Sequence, residues 1–303
     1  MEVPLMAAHF RIYLTEESNW VRLWQLLKLA TEGAFRHNCL SVAKGAAYSS
    51  LLSFFPVLTT IATLLVQARA ESVSRTIARF LYRVVPPGTE DVVHDLFLVQ
   101  GQRPKWLLVG AVILAAWAAS GAMISLMEGF NTIYGVPSDR PFVRQRGVAL
   151  LLVLLAAVPL FSASALIVFG TRVELAWTSW LRLRPEGANL SGWLLLAGQA
   201  LRYGVAFATT VLVTALVYYV GPNRKQTLRM VFPGATLVTL LWMMATAAFA
   251  WYVRHVANYN VLYGGVGAGL ALLVWMYVLA VINLFGCEFN AAYERDLSAP
   301  PDV

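Results

Sequence analysis

The stretch Asn258–Asn290 reads NYNVLYGGVGAGLALLVWMYVLAVINLFGCEFN, and no Asp, Glu, Lys or Arg occurs between Arg254 and Glu288. A helix needs about 20 predominantly apolar residues to cross a bilayer, and this run exceeds that. It opens on an aromatic, polar lip (Tyr259, Asn260, Tyr263) and a glycine-rich turn (Gly264, Gly265, Gly267, Gly269). Asn283 is its strongly polar interruption, and Glu288 follows Cys287 at its end. Gly265 and Gly269 form a Gly-xxx-Gly pair, which in lipid lets a second helix approach closely. The stretch predicts a transmembrane helix over about 264–287.

The rest of the chain has the same character. Of 303 residues, 59% are hydrophobic and 13% are charged, against about 25% charged in soluble domains. The fold class is therefore all-α: a polytopic membrane protein with six transmembrane helices and amphipathic interfacial helices. The spans fall at about 46–66, 106–127, 148–170, 201–220, 231–253 and 264–287. They form one transmembrane domain over 45–290. A cytoplasmic or interfacial amphipathic segment, 1–44, precedes it, and a polar tail, 291–303, follows.

The net charge is +7. Its basic residues are spread among apolar segments, so anionic lipid headgroups are the expected partners. A nucleic-acid footprint would gather them on one patch, so no nucleic-acid partner is expected. Cys39 and Cys287 show no CxxC or Cys/His pattern, so neither a zinc site nor a disulfide is indicated. No signal peptide is read, and the first span would target the chain.

Within 1–44, Trp20–Ala30 places Leu23, Leu26, Leu27 and Ala30 at helical spacing. Two readings fit: a helix lying in the membrane interface, or one packed on the bundle. Span 46–66 carries Pro56 and a stripe of Ser49, Ser53, Thr60 and Thr63. Such a stripe lines a cavity or, more commonly, packs against a neighbour. Residues 67–105 read as two amphipathic surface helices broken at Pro86-Pro87-Gly88. Span 106–127 contains the small-residue run Ala115–Ala122, and Glu128 closes it. Pro159 lies inside span 148–170. Trp177, Trp180 and Trp193 fit an interfacial aromatic belt.

Six spans place both ends on one side. The favoured orientation is cytoplasmic, because the short loop 221–230 holds Arg224, Lys225 and Arg229, whereas 254–263 holds Arg254.

Three stretches together resemble the YihY/BrkB family of bacterial inner-membrane proteins. They are Gly45–Pro56 (GAAYSSLLSFFP), Trp117–Gly135 (WAASGAMISLMEGFNTIYG) and, between Tyr218 and Asn290, the segments YYVGPNRK, VFPGA, YNVLYGGVGAGLALLVWMY and FGCEFN. The resemblance implies a six-helix inner-membrane protein with both ends cytoplasmic. The family once carried a ribonuclease label and has been discussed in connection with envelope integrity, serum resistance and lipid export. It supplies no motif with assigned chemistry.

Hydrolysis of RNA needs a metal site or an acid/base pair. His9, His37, His94 and His255 are scattered over different segments, with no HxxxH, HxE or clustered Asp motif. The expectation is no enzyme, no metal, no cofactor and no catalytic residue. No Walker motif is present either, so transport would not run on this chain's own nucleotide hydrolysis. Translocation of a lipid or small amphiphile is the favoured function, and a non-transporting scaffold the alternative. The groove or gate candidates are Ser53, Thr60, Glu128, Asn131, Asn283 and Glu288, with Arg224 and Lys225 as headgroup contacts. The polar ones near the cytoplasmic boundary fit an ion-paired entrance equally well as ordinary helix ends. The oligomeric state is left open.

Overall fold

Residues 19–67, 105–137, 140–157, 192–255 and 265–298 are described by the structure, a computed structural model. All their regular structure is helical, and no strand occurs among them. The helices are α1 (Asn19–Arg36), α2 (Cys39–Gln67), α3 (Lys105–Ile133), α4 (142–157), α5 (Gly192–Val220), α6 (Leu228–His255) and α7 (Gly265–Ser298).

Four of them are long and apolar enough to cross a membrane: Val109–Ile133 in α3, Tyr203–Val220 in α5, Leu228–Tyr252 in α6 and Gly269–Ser298 in α7. These match four of the expected spans. The span expected at 46–66 falls inside α2, which runs unbroken through Pro56. The one expected at 148–170 begins in α4, and its second half lies outside the described residues. So do the surface helices expected between residues 68 and 104, the lip at Tyr259–Tyr263, Pro159, Trp177 and Trp180.

Helix α7 is the hub, packing on α1, α2, α3 and α6. The α2–α3 pair is the most extensive helix contact, and α5 packs on α6. Small residues set the α2–α3 register. A Cβ added at Gly45 would stand 3.7 Å from Ser125 Oγ, and one at Gly121 would stand 3.7 Å from Ser49. The two helices therefore run antiparallel, with Val42 against Gly129 at the polar end. The core at that end is made of Met127, Phe130, Ala149, Leu152, Tyr218, Val231, Val238 and Leu284. Phe130 and Tyr218 meet edge to face with centroids 5.4 Å apart.

Among the glycines with described surroundings, close packing occurs away from Gly269. Nothing among the described residues lies within 4 Å of a Cβ added at Gly269. Instead Gly234 of α6 and Gly286 of α7 face each other, and a Cβ at Gly234 would overlap the Gly286 carbonyl oxygen. Backbone-to-backbone approach of this kind is what small residues provide in lipid.

Two turns are cut by their residues. Asn38, at φ 59°, ends α1 in the left-handed conformation that Asn tolerates. Its carbonyl then receives the first amides of α2, Ser41 N at 2.9 Å and Val42 N at 3.2 Å. Gly135, at φ 63°, closes α3, with Val136 N donating to Asn131 O at 2.9 Å. That is the glycine cap of a helix C-terminus.

Helix α1 packs on the end of α7. Leu26 and Ala30 are buried against Phe289 and Ala292, and Arg22 pairs with Asp296 at 2.6 Å. Trp20 and Trp24 stay exposed. The tail expected from residue 291 continues α7 as helix to Ser298.

Candidate functional site

The polar groups that the sequence scatters converge at one end of the bundle. The α1–α2 turn, the segment after α3, the α5–α6 loop and the last turns of α7 all meet there. Glu288 lies at its centre, with 1% of its surface exposed. His37 Nδ1 is 2.6 Å from Glu288 Oε1, and Cys39 Sγ donates to the same oxygen at 3.7 Å. Glu288 Oε2 is buried and has no hydrogen-bond partner. It seats against Gly33, where an added Cβ would overlap it and stand 2.9 Å from Glu288 Cδ. Gly33 is thus the residue of α1 that makes room for the carboxylate. The His37 side chain remains 24% exposed, so the pair joins the surroundings to the interior.

Around this centre, side chains close helix ends. Asn290 Oδ1 accepts from Gly234 N at 2.7 Å, and Asn290 Nδ2 donates to Val231 O at 3.1 Å. Both partners flank Pro233, which has no amide hydrogen of its own to offer. Asn131 Oδ1 accepts from Asn223 N at 2.8 Å. Tyr218 Oη donates to Asn283 O at 2.6 Å. Arg140 donates to Gly221 O and Pro222 O, each at 3.0 Å, and to Asn223 Oδ1 at 3.1 Å. Arg224 pairs with Glu294 and lies 4.3 Å over the Tyr134 ring. Burial pushes the Tyr134 phenol well above its usual range; the Cys287 thiol adds to this and Arg224 opposes it.

The sequence candidates fall into three places. Glu288, Asn131, Asn283 and Arg224 belong to the polar end. Ser53 and Thr60 lie along α2, where Ser53 Oγ donates to Ser50 O at 2.8 Å and Thr60 Oγ1 to Pro56 O at 2.9 Å. Glu128 and Lys225 are exposed at the rim. The sequence assigns no site role to His37, Cys39, Gly33, Tyr134 or Arg140. A turn signal at His37-Asn38 was available, but nothing in it pointed toward Glu288.

Burial, followed by the charge of Glu288, pushes the Cys39 thiol up to about 12. A raised thiol pKa means the folded state holds its proton more tightly than the unfolded chain. This contribution to stability is complete below the ordinary value near 9 and is lost as pH climbs toward 12. Only the thiolate alkylates. At neutral pH iodoacetamide should therefore leave Cys39 unlabelled in folded protein and label it after denaturation. Rapid labelling of the folded protein would show that the pocket around Glu288 is open. Among the described residues, no three His, Cys, Asp or Glu side chains are arranged to hold a metal ion.

A family model described as Virulence factor BrkB matches residues 30–302. The chain belongs to this family. It is similar to the ribonuclease-like protein YfkH of Bacillus subtilis, at 28% identity over 268 residues, covering 88% of this chain and 94% of YfkH. It is also similar to a UPF0761 membrane protein of Alteromonas mediterranea, 27% identical, covering 81% of this chain and 80% of the relative. A third relative, a UPF0761 membrane protein of Pseudoalteromonas translucida, is 27% identical over 85% of this chain and 82% of its own length. No solved structure matches. This BrkB-family chain is a membrane protein with several apolar helices, and the polar end described above lies within the matched residues.

Proposed function

We propose that this BrkB-family chain translocates a lipid or a small amphiphile across a bacterial inner membrane and so supports envelope integrity. Six spans, with both ends cytoplasmic, are part of the same reading, and the polar end is the cytoplasmic entrance. Glu288 is the observation that carries it. A carboxylate in a candidate span is costly to keep and marks substrate and ion pathways more often than packing. Here one oxygen holds His37 and the other has no partner. Asn131, Asn283 and Arg224 stand around it, Ser53 and Thr60 continue along α2, and Glu128 and Lys225 form the outer rim. In this reading Arg224 and Lys225 meet headgroups there, and the exposed Trp20 and Trp24 support an interfacial position for α1.

One observation favours the alternative, a scaffold that moves nothing. The hydroxyls of Ser53, Thr60, Ser120, Thr214 and Thr239 all donate to carbonyls of their own helices, as they do in sealed bundles. The experiment separating the two is lipid movement in proteoliposomes, with fluorescent lipids and a membrane-impermeant quencher. Translocation predicts quenching beyond the outer-leaflet fraction in vesicles with protein, and none beyond it in empty ones. Curves identical to empty vesicles across several headgroups would leave the scaffold.

A further inference from the structure

Arg146 is a cation in an unusual place. Its guanidinium carbon lies 3.9 Å from the centre of the Trp117 ring and 6.0 Å from that of Phe142. Its Nε is buried and has no hydrogen-bond partner. Trp117 is near the middle of the 29-residue α3. At about 1.5 Å per residue it stands roughly 18 Å from one helix end and roughly 24 Å from the other. The face around it is apolar and open: Trp117 is 53% exposed, and Ile113 and Leu114 more so. The guanidinium therefore stacks on a half-exposed ring about 12 Å inside the candidate span that begins at Val109.

No described carboxylate answers it. The acidic residues of the described segments are Glu32, Glu128, Glu288, Glu294 and Asp296. Glu288 holds His37, Glu294 holds Arg224, and Asp296 holds Arg22. Glu32 is on α1, and Glu128 is about 16 Å further along α3 from Trp117. The neighbouring charges are cationic. Arg144 is exposed, and Arg140 is committed to the carbonyls of the α5–α6 loop. Burial and the charge of Arg144 both depress the Arg140 pKa. Guanidinium binds phosphate oxygens in pairs and stacks on aromatic rings at the same time.

We propose that Arg146 and Trp117 bind the phosphate of an anionic phospholipid on the outer face of α3, with Arg144 beside it. The headgroup is drawn in along the flank, and Trp117 holds the guanidinium in the plane that meets it. This rests on α3 spanning the membrane and stands whether or not the lipid is moved.

Native mass spectrometry of the purified full chain tests it, with phosphatidylglycerol, phosphatidylcholine and inorganic phosphate as separate arms. The wild type should keep phosphatidylglycerol adducts at collision energies that strip phosphatidylcholine. Arg146→Gln should lower the adduct fraction severalfold, and Arg146→Lys should keep part of it. Trp117→Leu, which leaves the charge in place, should also lower it and serves if Arg146→Gln does not fold. Equal retention of the two lipids by the wild type overturns the site. So does a phosphatidylglycerol preference that survives both Arg146→Gln and Trp117→Leu. Displacement of the lipid by inorganic phosphate would make it a free-anion site and overturn the lipid assignment.

Discussion

Gly286→Ala should destabilise the bundle by roughly 3 kcal/mol, at the upper end of overpacking costs. The reason is geometric. A Cβ at position 286 overlaps Val238 Cγ2 and lies 2.6 Å from Tyr218 Oη and 3.2 Å from Gly234 O. Val238 and Tyr218 are fully buried, so neither has a free direction in which to retreat. Moving Tyr218 also breaks its hydrogen bond to Asn283 O, and pushing α7 off α6 strains both bonds of Asn290. The damage therefore spreads from one methyl group to the polar end. Gly269→Ala is the matched control, because no described residue lies within 4 Å of its new Cβ and helix propensity favours Ala by up to about 1 kcal/mol. Thermal unfolding in detergent, followed by tryptophan fluorescence, should show Gly286→Ala melting well below the wild type and Gly269→Ala at or above it. Equal melting of the two variants would mean that α6 and α7 do not approach through Gly286.

The contrast between those glycines shows what the sequence carries. Periodicity and length locate apolar helices, and the four candidate spans were legible for that reason. The Gly265/Gly269 spacing shows that a close approach is possible, but not which helix comes near. That depends on α6, which presents its own glycine at 234, and no local pattern registers a pair so far apart. The end of α7 is a similar case. Residues after 290 read as a polar tail because Glu294, Arg295 and Asp296 dominate the composition, yet Phe285, Phe289 and Ala292 keep one apolar face, and α1 covers it. The candidate site was legible by residue type only. Glu288 reads as a carboxylate next to a span, Asn283 as the polar interruption within it, and Asn131 as a polar residue near the cytoplasmic boundary. Their partners were not legible, since His37 and Glu288 are 251 residues apart and meet only because α1 packs on the end of α7. The backbone bonds of Ser53 and Thr60 could be anticipated from helix chemistry, since both residue types return bonds to the preceding turn.

Glu288→Leu should separate the two roles that a buried carboxylate can have. If Glu288 were present for stability, its removal would be severe, as breaking a buried pair commonly costs 3–5 kcal/mol (roughly). That cost arises when the remaining partner is left charged and buried. His37 is not in that position, because its side chain is 24% exposed and turns to water. Cys39 loses a weak acceptor only, at 3.7 Å. Leucine fills a similar volume beside Gly33, and it removes an oxygen that had no partner to begin with. Because no buried charge is left unpaired, the variant should unfold within about 1 kcal/mol of the wild type. Lipid movement should nevertheless fall to the level of empty vesicles, because the buried carboxylate at the centre of the polar end is gone. Glu288→Gln should be the less stable of the two. It keeps an acceptor for His37 but puts a buried NH2 group against Gly33, in the place of an oxygen that has no hydrogen-bond partner, and a buried donor left unpaired costs about 1–3 kcal/mol. The informative pattern is thus an order: leucine more stable than glutamine, and neither active. A leucine variant that moves lipid at the wild-type rate would remove Glu288 from the pathway. One that fails to fold would make the carboxylate a structural clasp between α1 and α7.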